Sequence, residues 1–447
     1  MMFLKNSTMP LNNKNKQILL FDYETSNYVI ATFQEFAYLY FLDKSNDYSS
    51  FALEYQSVFN LTDDEYKNFE SNVKFKYSTF LKSEGNKNIL KDIDLNNFLI
   101  ETPNNDQLTN RLENPSSYII QLTTRCYTNC TYCYAERKEI CDIDFSSVYK
   151  FLQEALQKNG KLFTFSGGDP TVYDFNNLIK LIRLIYSYKG TTIIMSTKNP
   201  NLSYEQFVEL RNAGMDILQF SLDSDRPEVL ENLLGISDGK KYLDRIVDSI
   251  SNAVKAGLRI RVHVVVSNKN IDHLEEYINN FLAELPLHSI EIVNFKNSLF
   301  IDNGIFYDNS IEMKLQLIRD KMKCVKFKIE YAFQMQCDLS GDLFHYSRCG
   351  AGNSLMVISP KGKAIFCDTV GENDQIVLGD INSNSIDEIW ENYRLDKIFD
   401  KAKSNKKCKS CDMLDRCFYI DNFRCLANVL RFSNDINDID TNCCYYN

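Results

Sequence analysis

The strongest constraint on this chain is a repeated alternation of strand-like and helix-like segments between Ser116 and about Asn297. Apolar runs at Tyr118–Thr123, Leu162–Phe165, Thr191–Ser196, Ile217–Leu222, Leu258–Val266 and Ile290–Asn294 read as strands. Each gap between them carries a helical apolar pattern. Gly160, Gly190, Gly214 and Gly257 each stand just before a strand, where a residue in the left-handed conformation ends the preceding helix. Strand–helix repeats of this kind pair in parallel, because the crossover length suits a helix. The expected class is α/β, with six units fitting a partial (β/α)6 TIM-type barrel. An open doubly wound sheet is the alternative.

The flanks differ from this core. From about Lys14 to Asp92 the chain reads as a small α+β unit, so 1–92 is taken as one domain. Gln17–Asp22 and Asn27–Ala31 form a candidate strand pair, and Thr32 with Glu35 makes a capping box for a helix. A further helix is expected from Thr62, capped with Glu65, to Lys82. Residues 93–115 hold six Asn and two Pro without periodicity and read as a linker. Residues 116–300 form the core, 301–335 a bridging helix, and 336–447 a cysteine-rich domain with a Pro360-Lys361-Gly362 turn between short β-like runs.

Composition narrows the function. With 50 Lys and Arg against 60 Asp and Glu, the chain is net acidic, which argues against nucleic acid as its main partner. No apolar run reaches the ~18–20 residues of a membrane span, and Met1–Leu11 lacks an export signal, so a cytoplasmic protein is expected. Fourteen cysteines in a reducing compartment suggest metal rather than disulfides. They fall in two groups with no cysteine between Cys141 and Cys324.

The first group is Cys126-Tyr-Thr-Asn-Cys130-Thr-Tyr132-Cys133, directly after the first core strand. Three thiolates at C-x3-C-x2-C spacing can hold three irons of a [4Fe–4S] cube and leave the fourth open. The competing reading is a structural zinc loop, with Cys141 as the fourth ligand that zinc wants. The spacing, with an aromatic before the last Cys, resembles the radical S-adenosylmethionine (SAM) enzymes. That resemblance implies SAM bound on the open iron and cleaved to a 5′-deoxyadenosyl radical. Ser166-Gly167-Gly168-Asp169-Pro170 follows the second strand, where the family usually has Gly-Gly-Glu-Pro. The glycines would allow close backbone approach, and the Asp169 carboxylate would accept from the SAM amino group. By the same resemblance Tyr132, Ser196, Ser221, Asp223 and Asn268 are cofactor-binding candidates, with Arg261 weaker.

The second group resembles the SPASM domain, which binds auxiliary [4Fe–4S] clusters. Its signature is Cys349-x12-Gly362-x4-Cys367, then Cys408-x2-Cys411-x5-Cys417. The family's next Cys is replaced by Asp421, and Cys425 follows. The implied outer cluster uses Cys408, Cys411 and Cys417 with Cys443 or Cys444. The inner one uses Cys349 and Cys367 with Cys337 and either Asp421 or Cys425. One or two auxiliary clusters follow, and a zinc ribbon on Cys408, Cys411, Cys417 and Cys425 is the alternative. Asp368, next to Cys367, occupies the position of a catalytic base in the anaerobic sulfatase-maturing branch.

The N-terminal unit resembles the winged-helix leader-peptide recognition element of enzymes that modify ribosomally made peptides. The module order is similar to that of sactipeptide and ranthipeptide thioether synthases. The implied partners are a precursor peptide and an external electron donor such as flavodoxin or ferredoxin, with no nucleic acid or membrane. Carbon–carbon or ether cross-linking, epimerisation, and formylglycine formation are the rival reactions.

Overall fold

In a computed structural model the described residues are 3–4, 8–12, 18–22, 27–45, 47–78, 80–82, 89–90, 93–95, 111–133, 139–295, 304–321, 328–332, 349–372, 376–412, 414–415, 417–418, 424–433, 435–440 and 443. The chain divides into two compact units: Met1–Glu113 with Asp338–His345, and Asn114–Cys337 with Tyr346–Asn447. The core and the cysteine-rich region thus fall in one unit.

The first unit holds strands β1 (Phe3–Leu4), β2 (Thr8–Asn12), β3 (Ile18–Asp22) and β4 (Asn27–Ala31), helices α1 (Phe33–Lys44), α2 (Tyr48–Phe59) and α3 (Asp63–Lys76), then β5 (Leu81–Lys82). β2, β3 and β4 make an antiparallel sheet, and β1 pairs with β5. Both expected capping boxes form, Thr32 with Glu35 and Thr62 with Glu65. Helix α3 is shorter than expected, ending at Lys76 rather than Lys82. Tyr38 stands at the centre of the aromatic core, edge-on to Tyr55 at 5.4 Å, and its hydroxyl donates to Glu70 at 2.7 Å.

In the second unit strands β6 (Ser117–Thr123), β7 (Leu162–Gly167), β8 (Thr192–Thr197), β9 (Ile217–Ser221), β10 (Arg259–Val266), β11 (Ser289–Asn294) and β12 (Lys328–Ala332) are all parallel. Each lies beside its predecessor in sequence. A doubly wound sheet reverses its strand order at a switch point, and this one does not. Right-handed crossovers in unbroken order put every helix on one face, so the other face curls inward as a barrel. Helices α4 (Phe145–Gln157), α5 (Phe175–Tyr186), α6 (Tyr204–Ala213), α7 (Pro227–Leu234) and α8 (Gly239–Lys255) cover the outside. A seventh strand, β12, extends the six expected. On the opposite edge β13 (Leu355–Ile358) pairs in parallel with β6, and β14 (Lys363–Ile365) and β15 (Val377–Asp380) continue antiparallel. The cysteine-rich region therefore covers the exposed edge of the barrel sheet.

Along β10 the two faces differ in chemistry. Ile260, Val262, Val264 and Val266 are fully or almost fully buried, whereas Arg261 and His263 share the other face. In register with them stand Gln219 and Ser289, and Ser221 and Glu291. A polar inner wall is unlike the packed aliphatic interior of a closed barrel, and leaves the lumen suited to a ligand.

The expected helix-ending glycines act in different ways. Gly214 ends α6 at φ +106°, and Gly257 follows α8 at φ +88°. After α4 it is Asn159, at φ +67°, that turns left-handed instead of Gly160. Gly160 is fixed by space: a Cβ there would lie 2.8 Å from the rings of Phe163 and Tyr118, which stack at 5.2 Å.

Candidate active site

The cysteine loop leaves β6 at its C-terminal end and is held from three sides. Thr131 N–H donates to Leu233 O at 2.9 Å and Asn129 N–H to Leu234 O at 3.1 Å, tying it to the end of α7. On its other flank Thr124 N–H donates to Cys141 O at 2.9 Å, and Arg125 ion-pairs with Asp142. The third support is the Gly167–Gly168 turn, where Gly168 N–H donates to Thr123 O at 2.6 Å and Asp169 N–H to Arg125 O at 2.7 Å. A Cβ on Gly168 would lie 1.9 Å from Arg125 O. The glycines thus permit backbone to approach the loop itself.

Cys126 and Cys130 both face Thr128, whose hydroxyl is 3.7 Å and 3.2 Å from the two sulfurs. Cys130 is buried and burial pushes its thiol above the ordinary range; Cys126 and Cys133 are half-buried. Cys141 does not turn back to serve as a fourth ligand; its Sγ donates to Pro360 O at 3.4 Å. Among the described residues no three His, Cys, Asp or Glu gather as one metal ion requires. A cube spreads its thiolates wider, since each binds a different iron.

Beside the loop lies a buried charge cluster that joins the candidates Tyr132 and Asp223 to Lys198, which sequence reasoning missed. Lys198, one residue past β8, donates to the Tyr132 hydroxyl at 2.9 Å and stands 3.6 Å from the Asp223 carboxylate. Burial works against its charge, but Asp223 and the Cys130 and Cys126 thiols outweigh it, leaving the Lys198 pKa above its usual value. The Tyr132 hydroxyl donates to Asp223, and burial holds its pKa well above the usual value. Asp223 also accepts from Val265 N–H at 2.9 Å, and Asn270 ties the Asp223 carbonyl at 2.9 Å. A fixed cation near the Cys126 and Cys130 thiols is the complement that a thiolate-held cluster needs, so these residues fit one. Only the topology brings Lys198 here; a lysine after a strand carries no local signal.

The other expected residues divide. Asp169 is at the site, but its carboxylate already accepts from Thr171 N–H and hydroxyl, from the Thr197 hydroxyl at 2.9 Å and from Lys198 N–H at 2.9 Å. These bonds tie together the ends of β7 and β8. Ser196 accepts from Gln219, its register partner in β9, at 3.0 Å, and Ser221 ends that strand. The Asn268 amide spans Gly304 O at 3.1 Å and Phe306 N–H at 3.1 Å, so it clamps that loop. Arg261 stands 3.7 Å from Glu291. The His263 Nε2 is 3.8 Å from Glu291, and burial holds the imidazole pKa below its usual value.

A cavity of about 230 Å³ lies between the end of β6 with the Gly167–Gly168 turn and the Ser359–Glu372 segment of the cysteine-rich region. Thr123, Thr124, Gly167 and Gly168 line its barrel side, and Asp368 and Glu372 the other. Cys367, next to Asp368, lies 3.0 Å from the Thr369 hydroxyl. Farther along, Cys411 N–H donates to Cys408 O at 3.0 Å, Cys443 N–H donates to Asp440 O at 2.9 Å, and Cys408 and Cys417 pack against one hydrophobic core. Cys349 and Cys425 pack against the same hydrophobic core, and Cys425 N–H donates to Asp440 at 2.6 Å. Cys337, Asp421, Cys444 and Cys324 lie outside the described residues.

Comparison with known proteins agrees with this layout. Residues 120–281 match the radical SAM superfamily model, and 349–412 match the SPASM iron–sulfur cluster-binding domain. A probable GTP 3′,8-cyclase of Methanosarcina mazei is 26% identical over 297 residues, 62% of this chain and 83% of that protein. Streptococcus suis SuiB bound to S-adenosylmethionine superposes with a TM-score of 0.64 over 98% of each chain, at 14% identity. SuiB bound to precursor peptide SuiA gives 0.62 at 16% identity, over 98% of this chain and 99% of that one. Native anSMEcpe with bound AdoMet gives 0.55 at 16% identity over 74% of this chain and 94% of that one. The chain thus carries a radical SAM domain and a SPASM domain, whose cofactors are a [4Fe–4S] cluster, SAM and auxiliary iron–sulfur clusters. Among the described residues no helix is long and apolar enough to cross a membrane.

Proposed function

On the premise of a radical SAM barrel joined to a SPASM domain, we propose that this chain modifies a ribosomally made peptide. The reaction assigned is a thioether cross-link between a Cys sulfur and a peptide carbon, as in sactipeptide and ranthipeptide synthases. The observation that carries the reading is the cavity running from the Gly167–Gly168 turn to Asp368 beside Cys367. A peptide segment there lies between the turn that supports the cysteine loop and Asp368, the neighbour of Cys367.

When bound, the cofactors supply a 5′-deoxyadenosyl radical and an electron acceptor. The chain supplies position and charge. Cys126, Cys130 and Cys133 hold the SAM-binding cluster, and Lys198 with Asp223 and Tyr132 keeps the charge beside it fixed. Cys349, Cys367, Cys408, Cys411, Cys417 and Cys443 hold auxiliary clusters, with Cys337 and Asp421 or Cys425 completing the set. The first unit binds the leader by strand addition to its sheet, whose edge strands are β2 and β4. SuiB, which has the same fold, is known with a precursor peptide bound. Flavodoxin or ferredoxin supplies the reducing electron.

Asp368 favours a second reading. A carboxylate lining the cavity suits a base that takes a proton during formylglycine formation. Co-expression with a short Cys-rich open reading frame beside the gene separates the two. A thioether removes two hydrogens from the peptide per bond and leaves the Cys resistant to alkylation. A peptide whose Cys alkylates fully, or becomes an aldehyde, refutes the thioether.

A further inference from the structure

One cation in the cysteine-rich region is buried and has no carboxylate within hydrogen-bonding distance among the described residues. Arg424 is 3% exposed. Its guanidinium lies 3.6 Å from the Phe418 ring centroid and 4.6 Å from that of Phe399. Nη1 donates to Asp438 O at 2.6 Å and Nη2 to Ile436 O at 2.7 Å, while Nε has no hydrogen-bond partner. These neighbours are neutral carbonyls and aromatic faces, which orient a guanidinium without neutralising it. Phe418, the nearer ring, directly follows Cys417, and Cys408, Cys417 and Cys425 pack against the same core as the two rings. Asp440 joins the remaining segments: its carboxylate accepts from Cys425 N–H at 2.6 Å and its carbonyl from Cys443 N–H at 2.9 Å.

A buried charge persists only where an opposite charge compensates it. Two carbonyl bonds hold the guanidinium within the segment 408–443, which carries Cys408, Cys411, Cys417 and Cys443. We propose that Arg424 is a fixed counter-charge for the auxiliary cluster on these four cysteines and sets its reduction potential upward, making it the better electron acceptor. The inference rests on that reading of the ligands. When such a cluster takes up one electron its total charge falls by one. A permanent positive charge nearby stabilises the reduced form more than the oxidised form, and local charge is among the factors that set these potentials. Arg424 would thus act as a positioning residue for electrons, touching neither substrate nor SAM.

The test uses the full chain carrying Cys126/Cys130/Cys133→Ala, reconstituted with iron and sulfide, so that auxiliary clusters alone give signals. Dithionite titration followed by electron paramagnetic resonance reads each midpoint. Arg424→Met is expected to lower one midpoint by at least a tenfold change in the oxidised-to-reduced ratio, about 59 mV for one electron. Arg424→Lys keeps the charge and is expected to stay within threefold of the parent. A midpoint unchanged in Arg424→Met at full iron content overturns the proposal, and so does an equal shift in both variants. If Arg424→Met loses iron, Arg424→Gln, which keeps a donor for one carbonyl, is judged by the same criterion. Adding Cys417→Ala to the same background checks the ligands independently: loss of about 4 irons per chain supports them. Unchanged iron there refutes the ligand set and the proposal with it, whereas an unshifted midpoint refutes Arg424 alone.

Discussion

Replacing Gly168 with Ala tests why the Gly-Gly turn exists. The added Cβ would sit 1.9 Å from Arg125 O, 2.6 Å from Arg125 C and 2.9 Å from Thr124 C. All three are backbone atoms, so no side chain can swing aside. Restoring contact distance moves the turn or the cysteine loop by about 1 Å, at an overpacking cost of about 1–3 kcal/mol. The same displacement reaches Cys126, one residue from Arg125, and a misplacement of this size can lower a rate by roughly 100-fold. Two hydrogen bonds, Gly168 N–H to Thr123 O and Asp169 N–H to Arg125 O, would lengthen with it. The assay is 5′-deoxyadenosine formed from SAM under dithionite, with iron counted on the same sample. The expected outcome is a large rate loss with the auxiliary iron retained. A variant that cleaves SAM at the parent rate with an unchanged melting temperature would refute the claim that this turn holds the loop.

Removing Lys198 as Met leaves the Asp223 carboxylate, which is fully buried, without its cation. The expected loss is about 3–5 kcal/mol, the range for breaking a buried pair, read by denaturant unfolding. His263 titrates below its usual value in the folded chain because of burial, so above about pH 6.5 it is neutral folded or unfolded. As pH falls below that, the unfolded chain takes the proton first and stability drops until the folded pKa is passed. Melting temperature against pH should show this slope in the parent and lose it in His263→Gln. Thr32→Ala removes a capping box from α1 and should cost the first unit about 1 kcal/mol, measured by its thermal transition. Asp368→Asn should leave SAM cleavage intact while slowing peptide product, if its carboxylate acts in the cavity.

Local pattern made much of the barrel legible. The six strands start and end within two residues of their expected positions, because apolar runs and intervening helical periodicity are local signals. Long-range pairing was not legible. The parallel pairing of Leu355–Ile358 with β6 spans the whole barrel in sequence, and no residue near position 355 advertises it. Lys328–Ala332 was missed for the same reason, as a short strand whose partner β11 decides its role. At the site, the cysteine spacing located the loop, and the glycines located the turn that supports it. Asp169 shows the limit: its place was readable, but not the four donors that occupy its carboxylate. Lys198 and Arg424 have no motif at all. Each matters because of where folding buries its charge: Lys198 between Tyr132 and Asp223, and Arg424 on the ring that follows Cys417.

The central claim is that a radical generated at the barrel mouth takes a hydrogen atom from a peptide. The direct measurement is transfer of deuterium from a precursor peptide, labelled at its α and β carbons, into 5′-deoxyadenosine. The account predicts deuterated 5′-deoxyadenosine that appears only with the peptide, and none from the Cys126/Cys130/Cys133→Ala variant. SAM cleavage that proceeds while all deuterium stays on the peptide would contradict it.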